Sequence, residues 1–313
     1  MHTTRHSTSG RKHGETAPTP PLGIDSAETE ASAASTRKSI TSAAALASDS
    51  DAFVTWARMV KLVLTIQADI PVGARFDLIR NLKKRSNMFP AWLKNPLSDQ
   101  FRYIPPGHIY WRDRLCTLIQ PGKGPYSDDG RDDPCFPNAV CNVFQICQHQ
   151  RMVQEEGLHS ETDVRYLLDT LLACICEDGT DRSTHYFTER TLRLPDCTTD
   201  KAKVTTTMVD GAMAIRIADL EPYLSNSGLQ QAVSTIVGAS TQVLRVLHCP
   251  AEFKSVLSGE NQMKMAMASA LHQKKALGML GQFVFGIFQH DRDFVQVNAG
   301  CWISKKASLL FIV

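Results

Sequence analysis

The residues of this 313-residue chain best suited to chemistry are two acids and a lysine. Asp210 sits in a stretch where apolar and polar residues alternate, and the tripeptide Glu252-Phe253-Lys254 closes a second apolar run. Both stretches read as strands. Side chains alternate along a strand, so Glu252 and Lys254 share one face while Phe253 turns to the core. If the two strands are neighbours, Asp210 and Glu252 converge. Two carboxylates a few ångströms apart repel unless a cation neutralises them, and hard oxygen ligands of this kind suit Mg2+. Such an ion can activate water and stabilise a leaving oxygen, while the Lys254 ammonium orients that water or neutralises developing charge. This is the chemistry of phosphodiester hydrolysis. Asp210, Glu252 and Lys254 are the candidate catalytic residues, with Asp210 and Glu252 as candidate Mg2+ ligands. The plainer reading of the same residues is a turn beginning at Asp210-Gly211 and a surface pair of Glu252 with Lys254, worth about 0.2–1 kcal/mol.

The elements that must position these groups follow from periodicity. A helix is predicted over residues 160–176, capped by the Ser160 hydroxyl with Asp163 at the capping-box position. Its Val164, Leu167, Leu168, Leu171, Leu172 and Ile175 form one apolar stripe, for which a sheet is the natural partner. The period then changes. Residues 185–194 and 205–217 alternate as strands, with Val209, Met213, Ile215 and Ile217 on one face and Asp210 on the other. A short helix is expected near 229–237, a strand over 243–253 interrupted near Pro250, a long helix over 260–280, and strands over 282–289 and 294–298. Met263, Met265, Met267 and Met279 on the long helix read as core filler against the sheet.

Asp210 and Glu252-Phe253-Lys254, in this order of helices and strands, resemble the PD-(D/E)XK nuclease-like superfamily, and within it a fungal nuclease-like family. Members pair a V-D strand, here Val209-Asp210, with an E-x-K strand and then a helix containing Gln, here Gln262 and Gln273. The resemblance spans residues 135–299. It implies an α/β fold: a restriction-endonuclease-like mixed sheet flanked by helices. It also implies a Mg2+-dependent nuclease acting on DNA or RNA, with nucleic acid as partner and with Glu161 and Gln262 as candidate supporting residues. The alternative is a catalytically inactive member of that fold serving as a protein or nucleic-acid interaction module.

The front of the chain has a different character. Its first fifty residues hold 17 Ser or Thr, 9 Ala and no Phe, Trp or Tyr, so little burial offsets the entropy of ordering, and residues 1–50 read as a disordered tail. Residues 51–134 read as a helical appendage, with helices over 53–66 and 75–85, followed by an irregular connection over 104–137 rich in Pro and Gly. Residues 135–313 read as the nuclease-like domain, opened by a helix over 137–156. Arg80, Lys83, Lys84 and Arg85 read either as a localisation or phosphate-binding patch or as a solvated helix end.

With 34 Lys or Arg against 32 Asp or Glu, the chain as a whole does not attract a polyanion, so any nucleic-acid affinity must be local. No run approaches the roughly 18 apolar residues of a membrane helix, and no secretory segment opens the chain, so it reads as intracellular, in nucleus or cytoplasm. Nine cysteines suggest reduced thiols. Cys135, Cys141 and Cys147 step by six along a helix and so point in different directions, which argues against zinc. His290-Asp291-Arg292-Asp293-Phe294 reads as a charged hairpin turn. The apolar stretch 307–313 reads as a docked last strand or a truncated gene model.

Overall fold

The structure is a computed structural model that describes residues 40–86, 88–119, 127–129, 136–157, 160–177, 183–197, 203–218, 221–223, 225–240, 242–254, 257–289, 295–303 and 308–312. Two short helices come first, α1 (Ala43–Ser48) and α2 (Ser50–Met59), then α3 (Asp77–Arg85), the short strand β1 (Met88–Pro90) and α4 (Ile109–Leu118). β2 (Ser127–Asp129) pairs in parallel with β1. Next come α5 (Phe136–Glu156), α6 (Glu161–Glu177), β3 (Thr184–Arg193) and β4 (Thr206–Ile217), followed by α7 (Ser227–Val233) and β5 (Leu244–Glu252). The chain continues through α8 (Leu257–Ala276), β6 (Val284–Gln289), β7 (Val295–Ile303) and β8 (Ser308–Ile312).

β3 to β8 form one six-stranded sheet in sequence order. Only β5 and β6 run parallel, because α8 carries the chain back between them; the other neighbours are antiparallel. The protein is thus mixed α/β, with a mixed sheet flanked by helices. Alternation along β6 separates the layers. Val284 and Phe288 join the α8 cluster, whereas Phe285 and Ile287 pack with Leu168 and Leu172 of α6, and Phe76, just before α3, and Ile79 within it pack against Phe285 and Phe283. α8 is buried nearly all round: Met263, Met265, Met267 and Leu271 are at most 1% exposed, so these three methionines do fill the core, whereas the helix ends at Ala276 and Met279 beyond it is only partly buried. No helix among the described residues is long and apolar enough to cross a membrane.

Several expectations need correction. Residues 43–48 are helical, with the Ser42 hydroxyl accepting from Ala45 N, and Leu46 is fully buried against α8; residues 1–39 of the expected tail lie outside the described residues. The helices at 43–59 are not an appendage, since Trp56 and Phe53 share the central core with α8. The helix expected over 53–66 stops at Met59, where Lys61 takes φ 60° and the chain turns to run beside β8 (Val63 N to Leu309 O, 2.9 Å). β8 is therefore a docked strand. The stretch 104–137 is not wholly irregular, because Pro106 opens a 3₁₀ turn that leads into α4. The boundary at 134/135 does not separate packing units either: Leu93, Phe101 and Cys116 cluster with Val140 and Phe144 of α5. The α6 stripe divides, with Leu168 and Leu172 meeting the sheet and Ile175 59% exposed on another side. The interruption expected at Pro250 is a register shift one step earlier, where Leu247 and Cys249 face Ala214 and Met213 and leave His248 as the extra residue.

Candidate functional site

β4 and β5 are adjacent, with Gly211 opposite Ala251, so the next step along the ladder brings Asp210 and Glu252 across from each other. Asp210-Gly211 lies inside a twelve-residue strand, which removes the turn reading. The Phe253 amide donates to Asp210 Oδ2 at 2.9 Å, tying the end of β5 to the carboxylate. Glu252 is 1% exposed and is no surface residue. Lys254 Nζ lies 3.3 Å from Glu252 Oε1, yet among the described residues neither Glu252 oxygen has a hydrogen-bond partner. The ammonium is close enough for charge attraction without hydrogen-bond alignment. Burial pushes the Glu252 carboxyl up to about 8; the neighbouring Asp210 charge adds to the rise, and Lys254 opposes it.

Two glycines allow this close approach. A Cβ on Gly259, in the first turn of α8, would lie 2.2 Å from the Lys254 carbonyl oxygen, so the helix closes on the Lys254 backbone only without a side chain there. A Cβ on Gly211 would lie 2.1 Å from the Tyr186 hydroxyl. That hydroxyl donates to Asp169, and burial followed by this hydrogen bond raises the Tyr186 pKa. Gly211→Ala is expected to push the phenol off Asp169 and to lower stability by about 1–3 kcal/mol, as overpacking does. Urea unfolding checks the loss, which should be much smaller in a Tyr186→Phe background where no hydroxyl remains to collide.

The residue missed from sequence is Arg165. From α6 its Nε lies 3.3 Å from Asp169 Oδ2, while its Nη1 lies 2.8 Å from Glu189 Oε1 and 3.7 Å from Asp210 Oδ1. Burial works against the charge of Arg165, and the three carboxylates more than offset it, holding its pKa above the ordinary value. Its i,i+4 spacing to Asp169 was the visible signal, but such pairs are ordinary on helix surfaces.

The other candidates lie apart from the pair. Glu161 opens α6, and its side chain is outside the described residues. Asp163 is engaged in the expected cap, its Oδ2 accepting from Ser160 N and Oγ, each at 2.7 Å. Gln262 is buried in the second turn of α8 and makes no hydrogen bond to either carboxylate among the described residues. Gln273 serves the fold by donating to the carbonyls of Ala232 and Arg245 and accepting from Leu247 N. The segment 290–294 lies outside the described residues, between antiparallel neighbours in which Gln289 faces Val295. A separate apolar cleft of about 520 Å3, lined among others by Trp111, Val143, Leu171 and Ile175, shares no residue with the carboxylates.

The donor set suits a hard divalent cation in one respect: the buried Glu252 oxygens, beside a second carboxylate, lack partners among the described residues. No group of three or more His, Cys, Asp or Glu with metal-holding geometry occurs among the described residues, so any such ion would take only these two carboxylates and keep several waters. Comparison with protein-family models, with curated proteins and with solved structures returns no match to this chain.

Proposed function

We propose that the protein is a Mg2+-dependent nuclease of restriction-endonuclease-like fold that hydrolyses phosphodiester bonds of DNA or RNA. The observation that carries this reading is the Glu252 carboxylate, buried to 1% exposure with neither oxygen hydrogen-bonded among the described residues and with Asp210 as its cross-strand neighbour. A purely structural acid at that depth would be hydrogen-bonded. The order α6, β3, β4, β5, α8, β6, with Asp210 and the E-x-K tripeptide on adjacent strands, supports the fold assignment.

Asp210 and Glu252 would hold the ion, which when bound supplies a positive charge to polarise a phosphate oxygen and lower the pKa of water. The chain's own residues do the rest. The Phe253 amide fixes one Asp210 oxygen, so that carboxylate is oriented before any ligand arrives. Lys254, 37% exposed and held near Glu252, places an ammonium where a phosphodiester can reach it. Phe253, at 6% exposure, packs with Leu172, Ala251 and Ile287 and so anchors the end of β5 that carries Glu252 and Lys254.

The noncatalytic module remains the second reading, and the observation in its favour is Arg165, which already supplies Asp210 with a cation. A cleavage assay on labelled single- and double-stranded DNA and RNA separates the two. The nuclease reading expects cleavage with Mg2+, its loss in EDTA, and a drop of about 100-fold or more in Lys254→Ala at unchanged melting temperature. Absence of cleavage on all four substrates, with Mg2+ still bound, selects the module.

A further inference from the structure

Arg165 is placed to do more than brace α6. Its two short contacts go to Asp169 and Glu189, whereas its 3.7 Å approach to Asp210 Oδ1 is beyond a good hydrogen bond. Asp210 therefore has one oxygen fixed by the Phe253 amide and the other facing a cation that attracts it without binding it. The Nη1 that approaches Asp210 is itself held by Glu189 Oε1 at 2.8 Å, while Nε is held by Asp169 Oδ2. Glu189 is 59% exposed, Arg165 itself is 18% exposed, and Asp169 is held in turn by the Tyr186 hydroxyl.

We infer that Arg165 is the resident counter-ion of the metal-free site: it neutralises Asp210 until a divalent cation arrives, competes with that cation for Oδ1, and is drawn back onto Asp169 and Glu189 when the cation binds. The inference rests on the reading that Asp210 and Glu252 take Mg2+. Its physical basis is that a buried carboxylate beside a second acidic group is stabilised by a nearby positive charge, and a tethered guanidinium supplies one to Asp210 without capturing an ion. The retreat needs no rebuilding, because both alternative partners already hold Arg165.

Competition sets the sign of the test. Arg165→Gln removes the rival cation, and Mg2+ affinity, measured by calorimetry or by Mn2+ electron paramagnetic resonance, should tighten roughly tenfold. Glu189→Gln removes the exposed anchor and touches neither carboxylate of the pair; Arg165 then leans on Asp210, and affinity should weaken several-fold. A plain field effect of the two charges predicts the same signs but additive ones. Competition predicts that Glu189→Gln has almost no effect in the Arg165→Gln background, because the residue it controls is gone. Should Arg165→Gln not fold, Glu189→Gln with Arg165→Lys keeps the test open: at an exposed position the first is structurally mild, and the second keeps the charge but loses the planar fork that lets Arg165 hold Asp169 and Glu189 together. Wild-type binding with unchanged or weaker affinity in Arg165→Gln, or strictly additive effects in the cycle, would overturn the counter-ion role and leave the metal site standing. No Mg2+ or Mn2+ binding by wild type and both single variants would remove the metal site and this inference with it.

Discussion

Glu252→Gln is expected to make the metal-free protein more stable, increasingly so as pH rises, and to abolish any stabilisation by Mg2+. Burial and Asp210 raise the carboxyl to about 8 in the folded protein, while the unfolded chain titrates near 4.5. Between those values the folded state keeps a proton that the unfolded state releases, so the contribution of Glu252 to stability falls as pH rises through that window. Glutamine does not titrate. The stability gap between variant and wild type should therefore open from near zero at pH 4.5 and level off above pH 8, on the order of 5 kcal/mol. His248 and His272, each lowered to about 4, first by burial and then by a neighbouring lysine, act in the opposite direction, removing stability as pH falls from 6.5 towards 4. They are common to both proteins and cancel in the difference. Urea unfolding at pH 5, 7 and 9 in EDTA measures the gap. At pH 8, millimolar Mg2+ should raise the melting temperature of wild type alone, since an ion binding only the folded state adds its binding free energy to stability. A variant that is less stable than wild type at pH 8 would mean that Glu252 is a structural partner of Lys254, and the site would lose its main support.

Trp56→Ala is expected to cost about 3–5 kcal/mol, among the largest losses open to a single substitution in this protein. The indole is 1% exposed, stacks on Phe53, and fills the core shared by α2 and α8. Its Nε1 is buried without a partner among the described residues, so packing rather than hydrogen bonding carries the effect. Trp56→Phe should accordingly lose less than half as much. Guanidinium unfolding of the two variants decides the matter. A small loss for alanine would return the front helices to the status of an appendage.

The sheet and its helices were legible from Ser160 onward because the period of apolar residues changes sharply from helix to strand and back. The convergence of Asp210 and Glu252 was legible from residue type and strand position, although the connection between their strands hides their adjacency. Arg165 was not, because a helical Arg four residues before an Asp looks the same whether it faces solvent or a buried carboxylate. α1 escaped notice for a different reason: averaged over fifty residues, Ser and Thr mask Ala43-Ala44-Ala45-Leu46-Ala47, a strong helix former with a capping serine. At α4 the pair Pro105-Pro106 reads as irregular chain, yet proline in a first turn starts a helix as readily as it ends one.

The docking of residues 61–67 beside β8 governs the order in which the molecule can be built. Leu62 bridges to Leu309, and Asn261 reaches Ala47 across 214 positions. The front helices leave the ribosome early with Leu46 and Trp56 uncovered, and their partners, α8 and then β8, are synthesised much later. Completion of the core thus waits until α8 and β8 have been made, with a slow, topologically distant closure as its last step. In the meantime the apolar faces of α1 and α2, with Leu46 and Trp56, stay exposed until the strands and helix that cover them exist.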